Sequence, residues 1–186
     1  MAVIRRVHLP DAQAMREFLS GLSAPSRRNR FHGAVNAISA SLLSRLISAD
    51  GAHHAAWVAC VWGVHGEEIV GEAVWHVVEP EHGKAEFAIS VSDAWQGQGV
   101  SDALMRTLLQ AARDANLREI YGDVLNANGR MLAFMRRHGL HPGVCEPGED
   151  PGLVRVGCIF ESSVPLTGRR MPRRRGWRDR ISSLWS

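Results

Sequence analysis

From Phe87 to Ser101 the chain reads Phe-Ala-Ile-Ser-Val-Ser-Asp-Ala-Trp-Gln-Gly-Gln-Gly-Val-Ser, an apolar strand pattern that runs into two glycines and then into a helical pattern. Glycines at the start of a helix let the backbone approach a ligand closely, while the first helical N–H groups and the positive end of the helix dipole face an anion. A pyrophosphate is the natural occupant of such a turn. The dinucleotide fingerprint is excluded, because GxGxxG lacks its third glycine after Gly97 and Gly99 and no second βα unit supplies the acidic partner. No GxxxxGK[ST] stretch is present, which removes a nucleoside triphosphate loop as well.

Other residue types offer less. Cys60, Cys145 and Cys158 are odd in number and show no CxxC spacing, so neither a disulfide framework nor a zinc site is expected and a reducing cytoplasm fits best. The nine histidines are scattered, and His53-His54 lacks the i, i+4 spacing that puts two rings on one helical face. No metal is expected. The N-terminus has no apolar core of a secretory signal, and no 18-residue apolar run suits a membrane-spanning helix. The net charge of +3 is uneven: residues 166–186 hold seven arginines against one aspartate, and the remainder carries 15 basic and 18 acidic residues. Among the 22 basic residues Lys84 is the only lysine.

The elements that must position the turn follow from periodicity. Val3 to Val7 reads as a strand, and Asp11 as the N-cap of a helix through Leu22 that Gly21 and Pro25 end. Ser26 to His32 reads as a basic loop, and Ser39 to Ser48 as a second helix. Three successive strands are expected over Ala56–Gly63, Ile69–Val78 and Ala85–Val91, antiparallel and joined by turns at His65-Gly66-Glu67 and Glu81-His82-Gly83. Val100, Ala103, Leu104, Leu108, Ala111 and Ala112 trace the inner face of a helix that stops near Asn116. Glu119 to Leu125 is a strand, Asn128 caps a helix closed by His138-Gly139, and two strands near Leu140–Cys145 and Leu153–Glu161 complete the chain.

Gln96-Gly97-Gln98-Gly99-Val100-Ser101 resembles the acetyl-CoA signature of the GNAT acetyltransferase superfamily, Q/R-x-x-G-x-G/A, with Ser101 small but outside the consensus in the last position. The similarity extends through Gly71-Glu72-Ala73, Ala85-Glu86-Phe87-Ala88 and Val124-Leu125-Asn126-Ala127-Asn128 to Gly139-Leu140, over about residues 1–160. Within the superfamily, Ser26-Arg27-Arg28-Asn29-Arg30-Phe31 and the Ala-Glu-Phe-Ala strand are similar to bacterial protein lysine acetyltransferase (Pat-like) domains. The resemblance implies an α/β GNAT fold: a central mixed, mostly antiparallel sheet of six to seven strands flanked by about four helices. That domain would occupy residues 1–165, followed by a basic tail over residues 166–186.

The same resemblance implies acetyl-CoA as cosubstrate and an amine acceptor, either a protein lysine or a small molecule, with direct transfer in a ternary complex. Gln96, Gly97, Gln98, Gly99, Val100 and Ser101 form the signature, the last five offering amides to the pyrophosphate. Ile89 and Val91 would pair with the pantetheine arm through their backbone, and Asn128 would reach the same arm or serve only as a helix cap. A lysine ammonium, with a pKa near 10.4, must lose its proton before it attacks a thioester. In Pat-like domains the glutamate matching Glu86 is implicated as that base, with His76 in reserve here. The equal alternative is an exposed strand carboxylate paired with an arginine. Met135 stands where many GNAT enzymes carry a proton-donating tyrosine, and the only tyrosine is Tyr121. A CoA thiol with a pKa of roughly 8.5 can leave as thiolate without a donor. The rival reading is a non-catalytic CoA-binding module, motivated by Ser101 and Met135. The tail, with Arg173-Arg174-Arg175, Trp177 and Trp185, reads first as a solvated end, with nucleic-acid or membrane contact as the alternative.

Overall fold

A computed structural model describes residues 1–33, 38–49, 51–64, 66–148 and 150–160. The expected tail over residues 166–186 lies outside the described residues, as does His65 of the first expected turn. The elements in order are β1 (Val3–Arg6), α1 (Ala12–Gly21), α2 (Ala24–Phe31), α3 (Ala40–Ile47), β2 (His54–Gly63), β3 (Gly66–Glu79) and β4 (Lys84–Val91). They continue with α4 (Val100–Asp114), β5 (Glu119–Leu125), α5 (Gly129–Arg137), β6 (His141–Pro142) and β7 (Leu153–Ile159). The seven strands form one mixed sheet in the order β1-β2-β3-β4-β5-β7-β6, and five α-helices are present among the described residues.

By internal contacts the described chain falls into two units, with β3, β4 and α4 contributing to both. The first comprises Met1–Val74 and Ala88–Leu109. In it β1 pairs antiparallel with β2, from Val3 opposite Cys60 to Arg6 opposite Trp57. Met15, Phe18 and Leu19 of α1, Leu42, Leu43 and Leu46 of α3, and Leu104, Met105 and Leu108 of α4 are buried in its core. Each fully buried side chain of this size contributes about 1.5–3 kcal/mol. The buried positions of α4 include Met105 and Leu109, whereas Ala103 and Ala111, expected on the inner face, are half-exposed.

Three local expectations need correction in this unit. Ser26 to His32 is not a loop: α2 starts at Ser23, whose side chain accepts from the Ser26 amide, and Pro25 sits in its first turn rather than ending α1. Asp11 occupies the N-cap position of α1 but does not cap it. Its carboxylate accepts from both Arg5 guanidinium nitrogens at 2.8 Å and from the His8 amide at 2.7 Å. By contrast Ser39 caps α3 as its residue type suggests, accepting from the Leu42 amide at 3.1 Å.

The second unit comprises Trp75–Phe87 and the described residues from Gln110 onward. Here β4 and β5 run parallel, pairing Lys84 with Glu119, Ala85 with Ile120 and Glu86 with Tyr121. β5 pairs antiparallel with β7 along its whole length. The strand expected over Leu140–Cys145 shrinks to His141–Pro142, because Pro142 has no N–H to donate and Gly143 turns away at φ 78°. No helix of the described residues is long and apolar enough to cross a membrane.

Candidate active site

In the first unit, β4 ends at Val91 and the chain passes through a 3-10 turn, Asp93–Trp95, into Gln96 and the two glycines before α4 begins at Val100. Gly97 and Gly99 have φ of 76° and 82°, in the left-handed region that glycine enters without a Cβ clash. A Cβ on Gly99 would meet nothing within 4 Å, so the space beside this backbone is open. The first helical bond of α4 runs from the Ala103 amide to the Gly99 carbonyl at 3.0 Å. The amides of Val100, Ser101 and Asp102 therefore precede any intrahelical acceptor and stand at the positive end of a 15-residue helix. Gly97, Gln98 and Gly99 are exposed, Ser101 is half-exposed, and Val100 is buried as the helix's first anchor.

The two glutamines of the turn use their side chains to brace it. Gln98 Nε2 donates to the Ala94 carbonyl at 2.7 Å. Gln96 Nε2 donates to the Val91 carbonyl at 3.2 Å and to Ser26 Oγ at 3.3 Å. Ile89 and Val91 bury their side chains, so the backbone is what they can offer a ligand, and the Val91 carbonyl already accepts one bond.

Glu86 lies in the second unit, on the same strand, as the last residue of the parallel ladder. It is buried, and directly paired residues of neighbouring strands share a face, which puts its side chain on the face of Tyr121. Tyr121 packs with Val78 and Cys145. Lys84 Nζ lies 5.3 Å from its ring centroid and the Arg155 guanidinium 4.1 Å. Burial, and then the charge of Glu86, push the Tyr121 phenol well above its ordinary range, so it stays protonated. Arg155 donates from Nε and Nη2 to the two oxygens of Asp123 at 2.9 and 3.0 Å. Burial works against the Arg155 cation, but the Asp123 hydrogen bond and the charges of Asp123 and Glu86 hold its pKa above the usual value. A carboxylate, a phenol and a guanidinium fixed by a second carboxylate thus converge in one place.

The remaining candidates are distributed as follows. Asn128 caps α5, its Oδ1 accepting from the Met131 amide at 3.0 Å. His76 is half-buried on β3, and Met135 is buried on α5. Among the described residues no group of three or more His, Cys, Asp or Glu side chains is arranged to hold a metal ion. Two groupings were not read from the sequence: Asp123 and Arg155 with Tyr121 beside Glu86, and Ser23 and Asp93 with Ser26 beside the turn. The i, i+2 spacing of Tyr121 and Asp123 on a strand was a usable signal for the first. Its partner Arg155 lies 32 residues away and could be found only through the register.

Residues 30–140 match the model of the acetyltransferase (GNAT) family. The chain is 32% identical over 129 residues to an acetyltransferase of Pseudomonas aeruginosa, covering 69% of each protein. The GNAT domain of Streptomyces lividans PAT has the same fold, with a TM-score of 0.76 at 24% identity over 86% of this chain and 90% of that one. A Mycobacterium tuberculosis protein solved in complex with CoA superposes with a TM-score of 0.61 at 18% identity, over 86% of this chain and 99% of its own.

Proposed function

Because the chain belongs to the acetyltransferase (GNAT) family, we propose that this N-acetyltransferase takes its acetyl group from acetyl-CoA and passes it to a primary amine. The acceptor is a protein lysine or a small amine. The observation that carries the reading is the strand, left-handed glycine pair and helix start between Val91 and Ala103, where amides without intrahelical acceptors border open space. The amides from Gly97 to Ser101 bind the pyrophosphate, and the dipole of α4 favours its charge. The backbone of Ile89 and Val91 takes the pantetheine arm, with Asn128 as a further polar contact.

Glu86 acts as general base. It takes a proton from the acceptor ammonium, directly or through water. The neutral nitrogen then attacks the thioester carbonyl, forming the C–N bond as the C–S bond breaks. CoA leaves as thiolate, without a tyrosine at Met135, and takes up the second proton that the acylated nitrogen sheds. Arg155 and Tyr121 hold the surroundings of Glu86 in place. The need for acetyl-CoA and the three free cysteines support a cytoplasmic setting.

Calorimetric titration of the chain with acetyl-CoA tests the reading, repeated on a Gly97→Glu/Gly99→Glu variant that fills the turn with carboxylates. Micromolar binding that disappears in the variant is expected. A folded wild-type protein that binds no acetyl-CoA would overturn it.

A further inference from the structure

The serine- and arginine-rich segment around α2 has no part in the chemistry above, yet it grips the phosphate turn at one end and, at the other, Glu72 of β3, the strand beside the one that feeds the turn. At the N-terminal end, Asp93 Oδ2 accepts from the Ser23 amide at 3.1 Å, and Oδ1 accepts from Ser23 Oγ at 2.9 Å and Ser26 Oγ at 2.8 Å. Ser26 Oγ in turn accepts from Gln96 Nε2, the first residue of the glycine signature. A single hydroxyl thus uses its proton on Asp93 and a lone pair on Gln96, which a Ser or Thr side chain can do from one short arm. Burial disfavours the Asp93 charge, but the Ser23 amide and the Ser26 and Ser23 hydroxyls outweigh it and hold the carboxyl below its usual range.

At the C-terminal end, Arg30 Nε lies 2.6 Å from Glu72 Oε1, with the two side chains 1% and 2% exposed. Ser90 Oγ of β4 donates to the same oxygen at 3.1 Å. A buried ion pair gains little net stability, since desolvation of both charges offsets their attraction, but it fixes geometry because any slip strands a charge. The helix therefore cannot shift along β3 without breaking the pair, nor lift at its start without releasing Asp93 and Gln96.

We propose that α2 is a clamp that sets the shape of the acetyl-CoA turn, with Ser26 and Asp93 as positioning residues for cofactor affinity. The proposal rests on the turn being the acetyl-CoA site. It has a consequence in both directions: a clamp that favours binding must itself be stabilised by binding, by the same factor. Acetyl-CoA bound at Gly97–Ser101 orders α2, though α2 need not touch it.

The test is calorimetry with acetyl-CoA on the wild-type chain, Asp93→Ala, Ser26→Ala and Ser26→Thr, together with amide hydrogen exchange over residues 23–31 with and without acetyl-CoA. The loss of bonds to a charged acceptor should raise Kd about tenfold in Asp93→Ala and about threefold in Ser26→Ala. Ser26→Thr, which keeps the hydroxyl, should stay within about twofold. Acetyl-CoA should slow exchange in α2 of the wild type and no longer do so in Asp93→Ala. A helix with a structural role only would give a lower Tm with Kd unchanged well below it, and that result would overturn the clamp. Failure of the wild type to bind acetyl-CoA would remove the reading of the turn, and the clamp with it. Wild-type binding matched by equally tight binding in Asp93→Ala would remove the clamp alone.

Discussion

Glu86→Gln separates the proton acceptor from everything else the residue does. The side chain is 8% exposed and ends the parallel ladder opposite Tyr121, and glutamine keeps its shape, so the fold and the acetyl-CoA turn are retained. At pH 7.4 an amine with a pKa near 10.4 is neutral to about one part in 10³. A base that deprotonates the bound ammonium recovers up to that factor, and general bases contribute roughly 10² to 10⁴. The variant should therefore lose about 10²- to 10³-fold in kcat/KM at pH 7.4, while the Kd for acetyl-CoA changes by less than about twofold. Without a base the rate follows the neutral amine, so the variant's rate climbs about tenfold per pH unit and the gap to wild type narrows towards pH 10. The assay is the initial rate of CoA thiol release, with acetylated product measured by mass spectrometry, across lysine peptides and small amines from pH 6.5 to 10. A loss below fivefold at pH 7.4, or a gap that does not change with pH, would refute Glu86 as the base.

Three further outcomes are expected. Asp123→Asn removes the carboxylate that holds Arg155 in two bonds, leaving the guanidinium to pair with Glu86; kcat should fall about tenfold and recover in part in Asp123→Asn/Arg155→Gln, and a single variant with full kcat would count against it. Asp11 and Glu67 are held below the usual carboxylate range first by their hydrogen bonds to Arg5. The stability they contribute is present above about pH 4 and lost as pH falls through their folded values, so the Tm deficit of Arg5→Met should shrink from pH 6 to pH 3, and a constant deficit would contradict the linkage. Lys84, the only lysine, has a side chain 10% exposed and an Nζ 3.0 Å from Glu119; peptide mapping after incubation with excess acetyl-CoA should find it unmodified in the native protein, and full acetylation there would show that this pairing opens.

The glycine turn was legible because its work is done by the backbone, and backbone at φ 76° and 82° forces the residue type to show. The same holds where a local side chain sets an element's end, as Ser39 does for α3 and Asn128 for α5. α2 was not legible. Arg27, Arg28, Asn29 and Arg30 give no apolar period to read, and the bonds that hold the helix reach 67 residues ahead from Ser26 to Asp93 and 42 from Arg30 to Glu72. Pro25 looked like a stop from one side and acts as a start from the other, and only the Ser23 cap decides between them.

For Glu86 the sequence left two readings, a base or an exposed strand carboxylate beside an arginine; the residue is buried, and the arginine near it is bonded to Asp123. An arginine free to face Glu86 would hold it as a spent ion pair. Arg155 is instead committed through Nε and Nη2 to Asp123, with Nη1 directed to the Glu146 carbonyl at 3.4 Å and its plane over the Tyr121 ring. The field it casts on Glu86 is then closer to that of a neutralised pair than of a bare cation, since the Asp123 charge lies within hydrogen-bond distance of the same guanidinium.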